Sequence, residues 1–161
     1  PSRLMPDGAV SAELADNGGD IEGALEALAA ELDALAMPPA NIAQPRTPDI
    51  PQGPNNASTI APVLGVKIPE GAIVVDESVS TGREFFYETA GAPPHDWLNN
   101  RGGSIGYGPP VAVGAAIACP DRKVILLESD GSGMYTPQAL WTMAREGLDI
   151  TVLVFANHSY N

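Results

Sequence analysis

Three short, almost unbroken apolar runs alternate with helical patterns, and this alternation constrains the chain more than any other feature. Residues 72–76 (AIVVD), 123–129 (KVILLES) and 150–156 (ITVLVFA) are rich in Val, Ile and Leu, as strands covered on both faces are. Helical stretches are expected over about 78–88, 109–119 and 136–147. The second opens on Pro109 and Pro110, suited to a first turn, and the third sets Ala139, Leu140, Met143 and Ala144 on one face. Strand, helix, strand, helix, strand implies a parallel sheet joined by right-handed crossovers. The expected fold class is therefore α/β: a three-layer parallel sheet with helices on both faces. The third run ends five residues before the chain does, so the domain is expected to be truncated at its C-terminus.

What precedes this pattern differs in kind. Positions 1–36 hold eight acidic residues and one basic one, Arg3, and so carry −7 of the net charge of −12. Ile21, Leu25, Leu28, Leu32 and Leu35 recur at helical spacing behind Asp20, a plausible N-cap. The amphipathic helix this predicts over 20–36 needs a partner surface. Residues 37–58 contain six prolines, which bar regular ladders and favour an extended linker. The expected organisation is 1–36 as a separate segment, 37–58 as linker and 59–161 as the α/β domain. With no signal-like start and Pro1 in first place, the chain is expected to be a piece of something longer. A pI near 4.3 argues against nucleic acid or an anionic membrane surface as partner. No stretch reaches the roughly 18 apolar residues of a membrane span. The single cysteine, Cys119, excludes an internal disulfide framework and leans the compartment toward a reducing cytoplasm.

Ligands of open α/β sheets collect outside the carboxyl ends of the strands. Those ends read Asp76-Glu77-Ser78, Asp130-Gly131-Ser132-Gly133 and Asn157-His158-Ser159. The second joins a carboxylate to a tight turn whose N–H groups can face an anion, although a plain strand-to-helix connection has the same shape. An Asp and an Asn at successive strand ends supply oxygen donors of the kind Mg²⁺ accepts, with phosphate and water completing its shell. Upstream, Gly102-Gly103-Ser104-Ile105-Gly106-Tyr107-Gly108 opens into the 109–119 helix. Its GxxGxG order, the absence of a P-loop lysine, and residues 97–101 read as something other than a strand speak against a dinucleotide or P-loop site. Glycines at this density instead let a ligand lie against backbone, with Ile105 left to touch it.

Together these pieces resemble the diphosphate-binding domain of the thiamine-diphosphate-dependent decarboxylase and acetolactate synthase superfamily, with acetolactate-synthase-like large subunits and benzoylformate-decarboxylase-like enzymes most alike. The family motif runs from Gly-Asp-Gly to Asn-Asn in just under thirty residues; here Ser129-Asp130-Gly131 is followed by Asn157, 27 positions after Asp130. Ser129 and Ala156 replace the first Gly and first Asn of that pattern. The likeness extends from about Ile60 to the end, and 1–36 resembles the tail of the family's central domain. It implies thiamine diphosphate and Mg²⁺ as cofactors. Asp130, the Asn157 side chain and the Ser159 carbonyl would be the metal ligands. Gly131 and Ser132 would donate to the diphosphate, Ile105 would wedge the bent cofactor, and Gly103 would offer its carbonyl to the 4′-amino group. Glu77, Ser78 and Ser80 fall where the first strand-end loop reaches the diphosphate.

The glutamate that protonates the pyrimidine ring would come from a separate N-terminal domain, usually of a second subunit. A full-length homodimer or homotetramer acting on 2-oxo acids is therefore implied, as carboligase or decarboxylase, with the present residues alone inactive. A non-catalytic diphosphate-binding or assembly fragment is the alternative of another class. His95 and His158 read as loop residues, Cys119 as a small buried hydrophobe, and Trp141 and Met143 as core or interface.

Overall fold

A computed structural model of the chain describes residues 8–100 and 102–158. The chain divides into two compact units, Pro1–Ile42 and Ala43–Asn161. In the first, α1 spans Ile21–Glu31, capped by Asp20, whose carboxylate accepts the Gly23 N–H at 2.9 Å. The expected helix stops short of residue 36 because Asp33 turns left-handed at φ 54°, and a single 3₁₀ turn, Ala34–Ala36, follows. Its apolar stripe of Ile21, Leu25, Leu28, Leu32 and Leu35 is exposed.

The second unit begins within the proline-rich stretch. Arg46 donates its backbone N–H to Gly91 O at 2.8 Å, and the ring of Pro48 lies against Gly65. Helix α2 (Ala57–Lys67) starts at a reciprocal capping box between Asn56 and Thr59, with bonds of 3.1 and 2.9 Å. Then come β1 (Ile73–Glu77), α3 (Phe85–Glu88), β2 (Asp96–Asn99), α4 (Gly108–Ala118), β3 (Val124–Ser129), the single turn α5 (Asp130–Gly133), α6 (Gln138–Arg145) and β4 (Ile150–Phe155). All four strands are parallel, in the order β2-β1-β3-β4.

Alternate residues of the strands feed two cores, as the two-residue period of a strand requires. Val74, Ile125 and Leu127 pack with Ala61, Leu64 and Ile68 around α2 and with Phe85 of α3. Ile73, Val75, Val124 and Leu126 pack on the opposite face with Ala112 and Ala116 of α4 and Met143 of α6. The three layers expected of the α/β pattern are present.

Three expectations are corrected. Residues 78–88 are not one helix: Ser78 bonds back to Asp76, Val79 takes φ 49°, and the chain turns through 84 before α3. A short polar side chain that satisfies nearby backbone competes with helix formation, and here it wins. Residues 96–99 do form a strand, β2, recruited by pairing with β1 in the register Val74↔Trp97, so the glycine loop follows a strand after all. Helix α2, which carries an internal proline, Pro62, lies partly inside the stretch expected to be linker.

Candidate functional site

The carboxyl ends of β1 and β3 stand side by side, with Glu77 and Glu128 in register. Both glutamates are buried, at 3% and 2% exposure. Glu77 accepts the backbone N–H of Gly106 at 2.5 Å through Oε1 and that of Gly108 at 2.6 Å through Oε2. Glu128 accepts the Ser129 N–H at 3.1 Å and the Ser132 hydroxyl on Oε1, while its buried Oε2 has no hydrogen-bond partner among the described residues. Burial pushes the Glu128 carboxyl up to about 7; the Ser132 hydroxyl opposes this and the neighbouring Glu77 charge adds to it. The Tyr107 phenol, which donates to Asp76 O at 2.5 Å and Leu98 O at 3.0 Å, is also pushed up, first by burial and then by Asp76, Glu77 and Glu128.

The loop between β2 and α4 passes over these groups. Gly102, Gly103 and Gly106 have φ of 71°, 72° and 81°, a region L side chains avoid. Asn100 pins Ser104 with reciprocal bonds of 2.7 and 2.9 Å, and the Thr136 hydroxyl donates to Gly106 O at 2.7 Å. A Cβ added at Gly102 or Gly103 would point into open space, and Ile105 is 55% exposed. An apolar side chain thus stands beside bare backbone at the strand ends.

The turn after β3 meets the end of β4. Asp130 Oδ2 accepts the His158 N–H at 3.3 Å, while Oδ1 accepts the N–H of Gly131 at 3.1 Å. Asn157, exposed, immediately precedes His158, so the two residues read as oxygen donors are brought together from strands adjacent in space. Ser159, the third expected ligand, lies outside the described residues. Among the described residues no cluster of three or more His, Cys, Asp or Glu side chains gathers around a common point. A carboxylate with one amide is a hard-oxygen set that a Mg²⁺–diphosphate complex completes, so the donor chemistry fits that group.

The structure places the other expected residues as follows. Ser132 is buried with its hydroxyl on Glu128, and its N–H faces Ser129 Oγ at 3.4 Å; the Gly131 N–H is held by Asp130. Ser78 is buried, its hydroxyl donating to Asp76, whereas Ser80 is exposed. His158 is exposed, whereas His95 is half-buried with its Nδ1 2.7 Å from Pro93 O. Cys119 is half-buried against the α4 face of the sheet, less enclosed than expected. Met143 is core, and Trp141 is exposed under the Arg145 guanidinium at 4.7 Å. The reading of the sequence passed over Glu128 and Tyr107. The available signal was a lone carboxylate closing an otherwise apolar strand, KVILLES.

Residues 84–161 match the family described as "Thiamine pyrophosphate enzyme, C-terminal TPP binding domain". Over all 161 residues the chain is 48% identical to IlvX of Mycobacterium tuberculosis (strain ATCC 25618 / H37Rv), provisionally designated an acetolactate synthase large subunit; the match covers 100% of this chain and 31% of that protein. It is 35% identical to the benzoylformate decarboxylase of Pseudomonas aeruginosa over 88% of this chain and 27% of the other. Among solved structures, a protein of Mycobacterium smegmatis, provisionally designated thiamin diphosphate-dependent, superposes with a TM-score of 0.68 at 33% identity, over 86% of this chain and 28% of that one. The chain thus spans about a third of the length of the curated relatives it matches.

Proposed function

We propose, from the premise that this chain belongs through residues 84–161 to the thiamine pyrophosphate enzymes as their C-terminal TPP-binding domain, that it holds the diphosphate end of thiamine diphosphate through Mg²⁺ for an enzyme acting on 2-oxo acids. The observation that carries the site assignment is the meeting of Asp130 with the 157–158 backbone across the ends of β3 and β4. In this reading Asp130 and Asn157 ligate Mg²⁺, with the Ser159 carbonyl as third protein ligand. Gly131 and Ser132 line the diphosphate, and exposed Ser80 reaches it from the β1 side. Ser78, whose hydroxyl is committed to Asp76, contributes through backbone alone.

When bound, thiamine diphosphate would supply an acidic carbon and an electron sink for 2-oxo acid chemistry. This chain's own contribution is orientation. The open backbone at Gly102–Gly103 would admit the ring system, the Gly103 carbonyl would accept from its amino group, and Ile105 would support it. The rest of the protein, with a pyrimidine-binding domain from a second subunit, completes the site in a homodimer or homotetramer of the cytoplasm. Among the described residues no helix is long and apolar enough to cross a membrane.

Similarity to IlvX along the whole chain supports acetolactate-synthase-like carboligation. Similarity to a benzoylformate decarboxylase, and to the solved 4-hydroxybenzoylformate decarboxylase of Rhodococcus jostii at 27% identity and a TM-score of 0.62 over 86% of this chain and 26% of that one, supports simple decarboxylation as the second reading. Product analysis of the protein encoded by the full reading frame, with pyruvate and with benzoylformate, separates them: acetolactate from the first, benzaldehyde from the second. Calorimetric titration with thiamine diphosphate, with and without Mg²⁺, tests the cofactor assignment itself. Binding indifferent to the metal would overturn it.

A further inference from the structure

We propose that Glu77 is a positioning residue of the cofactor site, its buried carboxylate holding the 102–108 loop in shape through the N–H groups of Gly106 and Gly108. The proposal rests on the thiamine diphosphate reading for what the loop touches, and on the geometry for what Glu77 does.

A carboxylate at 3% exposure is costly unless its oxygens are satisfied. Among the described residues no basic side chain forms an ion pair with Glu77. Its satisfaction comes from two backbone donors of one loop, one on each oxygen, and such charge-assisted bonds are the strong kind. The carboxylate is therefore spent inward. Had it faced the ligand, it would repel a diphosphate.

The loop accepts this clamp only in one shape. At Gly106, φ is +81° and a Cβ would lie 2.5 Å from Tyr135 Cβ; at Gly108, a Cβ would lie 2.7 Å from Glu128 Oε2 and 2.8 Å from Glu77 Oε2. Glycine is thus what lets the backbone reach the carboxylate. Thr136 holds the carbonyl of Gly106 from the opposite side. By contrast a Cβ at Gly102 or Gly103 would meet nothing within 4 Å among the described residues, and residues 102–105 are all exposed. The ligand-facing part of the loop has little packing of its own and takes its position from Asn100 and from the clamped part. Glu77 thereby acts on the presentation of Gly103 and Ile105 without touching the cofactor.

The test uses the protein encoded by the full reading frame and its Glu77→Gln variant, with two probes: Mg²⁺–thiamine diphosphate and Mg²⁺–inorganic diphosphate. Glutamine keeps the shape but turns an NH₂ toward one of the two N–H groups. Losing one charge-assisted bond predicts about tenfold weaker thiamine diphosphate binding, with inorganic diphosphate unchanged within about twofold. Circular dichroism should be unchanged. A merely structural role would weaken both ligands together or neither, and either result overturns the proposal. Failure of the unaltered protein to bind thiamine diphosphate would instead overturn the cofactor reading. Should Glu77→Gln not fold, Thr136→Val, which removes the opposing tie on the same loop, must give the same ligand-selective loss. Amide spectra of the unaltered protein add a direct check: the Gly106 and Gly108 protons should be shifted downfield and slow to exchange, and rapid exchange at both overturns the clamp.

Discussion

At the scale of single residues, the site separates groups that hold charge from groups that shape space. Asp130, at the meeting of the β3 and β4 ends, is bonded to both its own turn and the 158 backbone. Asp130→Asn removes the charge and should weaken Mg²⁺-dependent thiamine diphosphate binding by at least about tenfold, read by calorimetry. Unchanged affinity would remove Asp130 from the metal site. Ile105, 55% exposed, has little to lose in packing. Ile105→Ala should leave the unfolding midpoint within experimental error and slow proton exchange at the thiazolium C2, followed by NMR in deuterated water. Exchange at the unaltered rate would make Ile105 an ordinary surface residue. Glu128 makes a prediction about pH. Its carboxyl, lifted from near 4.5 to about 7 by burial, keeps its proton in the folded state where the unfolded chain has released it. Stability from this group is whole below about 4.5 and is lost as pH rises toward 7. Urea midpoints measured in chelator across that window should fall with pH, and Glu128→Gln should flatten the trend; an equal slope in the variant contradicts the assignment.

At the scale of elements, α4 shows how close approach is obtained. Gly108, its first residue, is buried, and a Cβ there would lie 2.7 and 2.8 Å from two carboxylate oxygens. Gly108→Ala should therefore cost about 1–3 kcal/mol by overpacking, measured by urea denaturation, although alanine is the better helix former. Stabilisation would show that the acid pair yields easily. Helices α4 and α6 and strands β1, β3 and β4 were legible in the sequence because long apolar runs and helical periodicity announce them. The missing elements had reasons to be silent. Strand β2 is four residues long, and its burial is weak. It exists because β1 offers it a ladder. Helix α2 contains Pro62 and follows a proline-rich stretch, so composition argued against it while its capping box and the core contacts of Leu64 and Ile68 argued for it. Residues 78–84 had helical spacing but also Ser78, whose bond to Asp76 ends the pattern.

At the scale of the whole molecule, the chain spans about a third of its relatives' length, and the proposed activity calls for a pyrimidine-binding domain besides these residues. The 161 residues assayed alone with pyruvate or benzoylformate, at saturating thiamine diphosphate and Mg²⁺, should release no CO₂ above background. Release from a purified, sequence-verified sample would place the acid that activates the pyrimidine ring within this chain. Within the second unit, β4 lies at the sheet edge with Val154 57% exposed. An apolar edge strand of this kind invites pairing, so the same sample should self-associate in sedimentation experiments.

By itself the sequence determined the α/β class, the three strands β1, β3 and β4, the Asp130–Asn157 spacing and the glycine loop with Ile105 on it. Each is a local signal: hydrophobic period, turn chemistry, or distance along the chain. Tertiary structure alone decided which donors those residues kept. Glu77, expected to reach the diphosphate, turned inward to Gly106 and Gly108; Ser132 spent its hydroxyl on Glu128; Ser78 spent its own on Asp76. The physical reason is that a buried carboxylate takes whatever donors folding brings within reach. Residues 77 and 106, 29 positions apart, meet because β1 pairs with β3 and α4 packs across both.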